Sequence, residues 1–301
     1  MAKGLILLAL PVLLLAGPAL RLQDEMPVVT KEMVDHVNSN GSWTASLDWV
    51  GNMTVGQAKK LMGLHAAKND YPVAKLGALE KYLTIPASFD ARTQWPKCVG
   101  AIRNQGDCGS CWAFSATEVL ADRTCIDSNA ATTVVLSPQW LVSCDKTNNG
   151  CGGGNLPTVW KYLESHGVPA DSCDPYSSGD NDESGSCSAN CSKFYKATDI
   201  KQYSTPATIQ AGLIAGGPIQ TGFTVYQDFM SYKSGVYTHK TGAEVGGHAV
   251  KIVGWGKSGS TNYWIVANSW GTSWGIDGFF WIAFGQCGID SDAIAGNAAS
   301  S

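Results

Sequence analysis

The sequence predicts an α+β protein built as two lobes, and three observations carry that reading. Periodic segments between residue 98 and about residue 195 repeat with a helical spacing. From about residue 205 onward, runs rich in β-branched and aromatic residues dominate, broken by Gly and Ser. All ten cysteines fall between Cys98 and Cys287, so a single cysteine-rich body follows a cysteine-free start. A helical half followed by an antiparallel half is the α+β arrangement. The 301 residues are 44% hydrophobic and 15% charged. A chain of this size buries roughly 75% of its unfolded surface. It carries too little charge, and too many aromatics, for a disordered chain. The net charge of −4 excludes a basic nucleic-acid surface.

The elements follow in order. Lys3 precedes an apolar run from Leu5 to Ala16, shorter than the ~20 residues that span a bilayer. A positive start, a short apolar core and small residues read as a secretory signal cleaved after about Ala19. Pro11 interrupts the run and argues against a buried core helix. No other run is long enough to cross a membrane. The cysteines then fold in an oxidising compartment, and Asn40, Asn52 and Asn190 become glycan acceptors. No ER-retention tetrapeptide ends the chain. Residues 20–84 contain two helix patterns. One covers about 30–38, with Met33, Val34 and Val37 apolar. The other covers about 54–64 and opens on the capping box Thr54-Val-Gly-Gln57. Its Leu61, Met62 and Leu64 need a partner to cover them. A segment this small is marginal alone, so it is expected to pack on the body. Residues 85–301 hold 18 acidic and 13 basic side chains, a mildly acidic balance compatible with an acidic compartment.

In the body, the stretch from Cys111 through Ala121 sets Trp112, Ala116, Val119 and Leu120 on one helix face. Ser137-Pro138 is an N-cap followed by proline, opening a helix to about Cys144. A third helix covers 157–166 and ends at Gly167. Thr205-Pro206 opens a fourth, and strands are expected over Ile219–Tyr226, His248–Trp255, Tyr263–Ala267 and Phe279–Ala283. No internal repeat is visible.

The densest chemical signal is Gln105-Gly-Asp-Cys-Gly-Ser-Cys111-Trp112. A Cys-x-x-Cys pair alone is ambiguous between zinc, redox and nucleophile chemistry. Zinc needs a second such pair, which the chain lacks, and a thioredoxin-like site needs a compact βαβ context, which the flanks lack. The stretch Cys-Gly-Ser-Cys-Trp matches the nucleophile signature of papain-type cysteine peptidases, and here the chain resembles that family. A thiol at a helix start is favoured as thiolate by unpaired N–H groups and the positive dipole end. The body holds His166, His239 and His248. His248 lies 137 residues after Cys111, within the family's spacing of about 130–150. Asn268-Ser-Trp270-Gly matches the family's Asn-Ser-Trp-Gly. The resemblance implies Cys111 as nucleophile, His248 as base and Asn268 as the amide orienting it. It also implies Trp270 as shield, and Gln105 with the Cys111 N–H as oxyanion donors. The implied fold is the papain-like one, a helical L-lobe (about 97–198) and an antiparallel, β-barrel-like R-lobe (about 85–96 plus 199–301) with the active-site cleft between them.

Within that family, the cathepsin B branch is the one resembled over nearly the whole chain after the signal. Ile85-Pro-Ala-Ser-Phe-Asp-Ala-Arg-Thr-Gln-Trp resembles its mature N-terminus, and Val37-Asn-Ser-Asn-Gly-Ser-Trp43 resembles part of its propeptide. The resemblance implies that 20–84 is an inhibitory propeptide and 85–301 the mature peptidase. It implies the disulfides Cys98–Cys125, Cys108–Cys151, Cys144–Cys187 and Cys173–Cys191, with Cys287 free, although eight cysteines by themselves allow 105 pairings. It also implies substrate contacts at Gly153, Gly154, Leu156, Gly222, Ala249, Trp270 and Asp292. Asp292 stands where the branch has Glu, a carboxylate able to receive Arg at P2. One departure bears on activity. The branch's long occluding loop with two histidines is replaced by the short acidic stretch Asp174–Ser186, without His. An endopeptidase with little dipeptidyl carboxypeptidase activity is therefore expected. The partners implied are peptide substrates, the chain's own propeptide and cystatin-type inhibitors, acting on a monomer without metal or cofactor. The destination is a lysosome-like compartment or secretion. Rival readings are a disulfide oxidoreductase using Cys108 and Cys111, and a non-catalytic binding protein on the same fold.

Overall fold

The structure, a computed structural model, describes residues 22–39, 41–76 and 85–299. The expected signal segment at 1–19, its cleavage point after about Ala19, Asn40 and the linker end at 77–84 lie outside the described residues.

The N-terminal segment contributes α1 (Lys31–Ser39), β1 (Trp43–Ala45) and α2 (Val55–Lys60). The capping box forms as its sequence dictates. Thr54 Oγ1 accepts from Gln57 N at 3.2 Å, and Gln57 Oε1 accepts from Thr54 N at 2.9 Å. The expectation that this helix reaches residue 64 is corrected, because it stops at Lys60. Leu64 N donates to Gly247 O at 3.0 Å and His65 N to Gly154 O at 2.8 Å, so these amides serve the body rather than a further helical turn.

The body opens with β2 (Phe89–Asp90) and α3 (Ala91–Gln94). Helix α4 (Cys111–Asp127) buries 14 of its 17 residues, so it is a core helix without a solvent face. Its buried polar side chains find partners across the lobes. Lys251 Nζ lies 2.8 Å from Asp122 and 3.3 Å from Glu118. Gln220 Nε2 donates to Trp112 O at 3.0 Å and to Ser115 Oγ at 2.8 Å. Helix α5 (Pro138–Cys144) is capped by Ser137, and α6 (Leu156–Ser165) by Asn155. Four disulfides join Cys98–Cys125, Cys108–Cys151, Cys144–Cys187 and Cys173–Cys191, leaving Cys111 and Cys287 as thiols.

The remaining elements are β3 (Ala197–Tyr203), α7 (Pro206–Gly216), β4 (Ile219–Tyr226), β5 (Tyr232–Tyr237), β6 (Glu244–Ser258), β7 (Thr261–Ala267), β8 (Phe279–Ala283) and β9 (Ala293–Ala298). The strands hydrogen-bond in the order β1-β5-β8-β7-β6-β4-β9-β3, with β2 on β6. All pairs are antiparallel except β5 with β8. The barrel-like expectation is corrected, because the sheet is open and its two ends do not pair. Each end finds its hydrogen bonds in the N-terminal segment instead. Strand β1 lies on β5. At the other end Gln202 on β3 donates to Pro72 O and accepts from Ala74 N. An edge already satisfied has no drive to close on another edge.

Candidate active site

The first turn of α4 and the middle of β6 meet at the base of the interlobe cleft. Cys111 is fully buried, and its Sγ accepts from the N–H of Ala249 at 3.4 Å. That N–H belongs to the residue after His248, so the thiol is held against the strand that carries the imidazole, with no hydrogen bond between the two groups. His248 Nε2 lies 2.7 Å from Asn268 Oδ1. An amide oxygen only accepts, so Nε2 carries the hydrogen and Nδ1 keeps its lone pair. Ser269 N also donates to Asn268 Oδ1, at 2.8 Å, fixing the amide's orientation. The Trp270 ring covers His248 at 4.7 Å.

Gln105 is fully buried, and its network settles which end of its amide is nitrogen. Ser269 Oγ donates to Oε1 at 2.7 Å, while Nε2 donates to Cys108 O at 2.9 Å and to Leu61 O at 3.0 Å. Leu61 belongs to the N-terminal segment. A carbonyl of that segment thus accepts from the amide that the sequence assigns to an oxyanion.

Leu61 closes α2 as its C-cap, and the chain then runs along the cleft to His65. Gly154 N donates to Gly63 O at 2.8 Å, and Leu64 forms a parallel bridge with Gly154. The absence of a side chain at two glycines makes this approach feasible. A Cβ on Gly222 would lie 2.2 Å from Leu64 Cδ2, and one on Gly153 (φ +108°) would lie 2.8 Å from Gly63 O. The order along the cleft decides the polarity. A substrate presents its pocket-filling P2 residue before the residue whose carbonyl is attacked. Here the carbonyl at Gln105 is Leu61, and the side chain at Gly222 is Leu64, three residues later. Against the roles that the resemblance implies for Gln105 and Gly222, this order is the reverse of a substrate's.

Burial sets the titration of the pair. It pushes the Cys111 thiol up to about 11, against weaker opposition from backbone N–H groups. It pulls His248 down to about 4, against the hydrogen bond that Nε2 donates to Asn268 Oδ1. Both groups are neutral beneath the segment. His248 Nδ1, Asn268 Nδ2 and Trp270 Nε1 are buried there without partners.

Of the other residues singled out from sequence, Leu156 and Ala249 are buried beside the cleft residues Gly154 and His248. The carboxylate of Asp292 accepts from Asn69 of the segment at 3.2 Å. Two residues were missed. Ser269 was read only as part of a motif, yet it orients Gln105. Tyr176 OH donates to Gln105 O at 2.7 Å and lies 2.8 Å from Ser110 Oγ, the hydroxyl just before the thiol. Tyr176 has no local signal, because its role depends on a loop returning across about 70 residues. Asn52 and Asn190 are exposed. Among the described residues, no group of three or more His, Cys, Asp or Glu is placed to hold a metal, and no helix is long and apolar enough to cross a membrane.

The family model described as papain family cysteine protease matches residues 85–297. The chain is 40% identical to cathepsin B-like CP3 of Giardia intestinalis, over 90% of this chain and 94% of that one. It is 39% identical to the gut-specific cysteine proteinase of Caenorhabditis elegans, over 98% and 99%. Among solved structures, procathepsin B S9 from Trypanosoma congolense superposes with a TM-score of 0.86 at 34% identity, covering 91% of this chain and all of that one. With a matching family model over two thirds of its length and cathepsin B-like relatives about 40% identical over 90% or more of it, the chain belongs to the papain family of cysteine proteases and is a cathepsin B-like cysteine peptidase.

Proposed function

We propose that the chain is the zymogen of an endopeptidase whose residues 85–301 are the working enzyme and whose residues 20–84 are its inhibitor. The observation that carries this reading is the Leu61 carbonyl on Gln105 Nε2, in a segment of reversed polarity. The segment occupies the site of a scissile carbonyl without presenting a bond in productive order. Once it leaves, water reaches Cys111 and His248, and the burial that held both neutral is gone. The Cys111 thiol passes its proton to His248 Nδ1, and the thiolate attacks the substrate carbonyl while Gln105 and the Cys111 N–H receive the oxyanion. His248, held through Nε2 by Asn268, protonates the leaving amine from Nδ1 and then activates water to release the acyl group.

Endopeptidase action is supported by the stretch 174–186. It is tied down onto the helical lobe. Ser177 N and Ser178 N donate to Gln139 Oε1, and Cys151 N donates to Ser184 Oγ. Its Asp182 lies 3.1 Å from Lys60, just before the cleft residues of the segment. An acidic loop at that end repels a substrate's terminal carboxylate. At the other end, the Gly222 recess and Asp292 form the P2 subsite, which accepts apolar residues and Arg. Cystatin-type inhibitors, glycans on Asn52 and Asn190, and a lysosome-like or extracellular destination belong to the same proposal.

The test uses processed enzyme and its Cys111→Ser variant on internally quenched peptides that differ only in a free or amidated C-terminus. The expected outcome is cleavage by the wild type alone, with the amide cut at least as well as the acid. Preferential release of dipeptides from the free acid would overturn the endopeptidase assignment, and cleavage by the Ser variant would overturn the nucleophile.

A further inference from the structure

The two sheet ends that the N-terminal segment covers are not equal. At β3 the cover is one short bridge at Val73. At β5 it is a full strand with a pocket for a side chain. We infer that the β5 edge, vacated when the segment is removed, is an exosite of the processed enzyme. It would take extended, uncharged segments of protein substrates with a tryptophan and, two residues later, a small residue. The inference rests on the zymogen reading above.

Strand β5 has one partner within the body, β8, which pairs with Val236 and Tyr237. Among the described residues, its other side is paired by the segment alone. Val236 N donates to Ser42 O at 3.1 Å, Ser46 N donates to Ser231 O at 2.8 Å, and Ser42 Oγ donates to Val236 O at 3.1 Å. Removing residues 42–46 therefore leaves a row of main-chain donors and acceptors that another extended chain can satisfy. Gly235 (φ +90°) makes the approach close, since a Cβ there would lie 2.7 Å from Trp43 Cα.

Side chains on alternate positions supply the selectivity. Trp43 is 4% exposed, Thr44 is exposed and Ala45 is 4% exposed. The Trp43 ring lies 5.0 Å from Tyr237 and 5.9 Å from Tyr232. Its Nε1 donates to Thr238 O at 2.9 Å. A phenylalanine would leave that part-buried carbonyl without the bond, and Ala45 is buried with only a methyl group. No charged residue of the segment takes part.

Continuity with the cleft points to a substrate as the occupant. Tyr232 contacts Trp274 at 5.6 Å, Trp274 contacts Trp270 at 5.1 Å, and Trp270 covers His248. A chain held in the cleft thus has its flanking residues next to this edge, where tethering raises local concentration without new contacts at the catalytic centre.

The test uses processed enzyme and a labelled synthetic peptide of residues 38–48, which lacks the cleft residues 61–65. The peptide is expected to bind, and its Trp43→Ala form to bind about tenfold more weakly. Two protein substrates with the same scissile sequence and linker, ending in Gly-Ser-Trp-Thr-Ala-Ser or Gly-Ser-Ala-Thr-Ala-Ser, should differ about threefold in KM with equal kcat. The peptide should abolish that difference. Equal affinity of the two peptides, or equal KM for the two substrates, would overturn the exosite. Concentration-dependent dimers split by the peptide would assign the edge to a second copy and overturn the substrate. A chain that yields no active enzyme cut near Ile85 would instead fail the zymogen reading, before any peptide is added.

Discussion

The N-terminal segment and the body beneath it are held by different kinds of force. All four disulfides lie within residues 98–191, and none reaches the segment. They close the loop-rich helical half, where little regular hydrogen bonding crosses between elements. The segment is attached by non-covalent contacts: backbone pairing at β5, in the cleft and at β3, side-chain bonds such as Asn69 to Asp292, the Lys60–Asp182 ion pair, and aromatic contacts such as Trp49 stacked on Trp270 at 5.5 Å. Water and substrate can replace every one of those contacts. A cover that must be shed is built from exchangeable interactions, and a frame that must persist is cross-linked.

On the proposed function the cover borrows the groups that substrate would use, and the comparison breaks most sharply there. Gln105→Ala is expected to lower kcat of processed enzyme about 10²–10³-fold, the loss of one oxyanion donor. The same change removes from the segment a single net hydrogen bond, about 1 kcal/mol or about fivefold in its hold. Turnover measured beside inhibition by added segment checks this, and similar losses in both would show that Leu61 O is no stand-in for the reacting oxygen.

Acid should loosen the cover while leaving the frame intact. Under the segment His248 titrates at about 4, below its ordinary 6.5, so the closed state binds fewer protons than the open one. The His248 contribution to closure is therefore fully present above pH 6.5. It is lost as pH falls toward 4, at up to about tenfold per pH unit. Hydrogen exchange of residues 61–65 in full-length Cys111→Ser, which cannot process itself, follows the opening. Adding His248→Gln should flatten the profile over that interval, and an unchanged slope would assign the effect to other groups.

The smallest expected effect belongs to the frame. Tyr176→Phe removes the hydroxyl that holds Gln105 O and Ser110 Oγ. It should lower kcat about three- to tenfold with KM unchanged, the worth of one buried hydrogen bond. A lowered Tm with full kcat would leave Tyr176 a purely structural side chain.

How much of this was legible in the sequence depended on the range of the interaction. Ile219–Tyr226 and Phe279–Ala283 are strands at the boundaries the sequence predicts, because β-branched and aromatic residues suit a pleated buried surface. The caps at Thr54, Ser137 and Thr205 also appear as read, since each is closed within three residues. Strand β9, Ala-Ile-Ala-Gly-Asn-Ala, has no such signature and exists because β3 and β4 flank it. Strand β5, with Lys, Ser and Gly inside it, likewise depends on its neighbours. Helix α4 buries the apolar face read at Trp112, Ala116, Val119 and Leu120, but its burial on the remaining sides was not legible, because polar side chains there are paired with the other lobe or with the helix's own carbonyls.

The sequence by itself determined the chemistry and its order along the chain: a helix opening on Cys111, His248 and Asn268 downstream, and a cysteine-free start with a capped helix. These follow from residue types and short-range geometry. Only the tertiary structure decided that the segment crosses the cleft with Leu61 at Gln105 and Leu64 at Gly222, that both ends of the open sheet are finished by it, and that Tyr176 reaches Gln105. Each of these pairs backbone or side chains across long stretches of chain. Such pairings are selected by what else must be buried and hydrogen-bonded at the same place, and no local window contains that information.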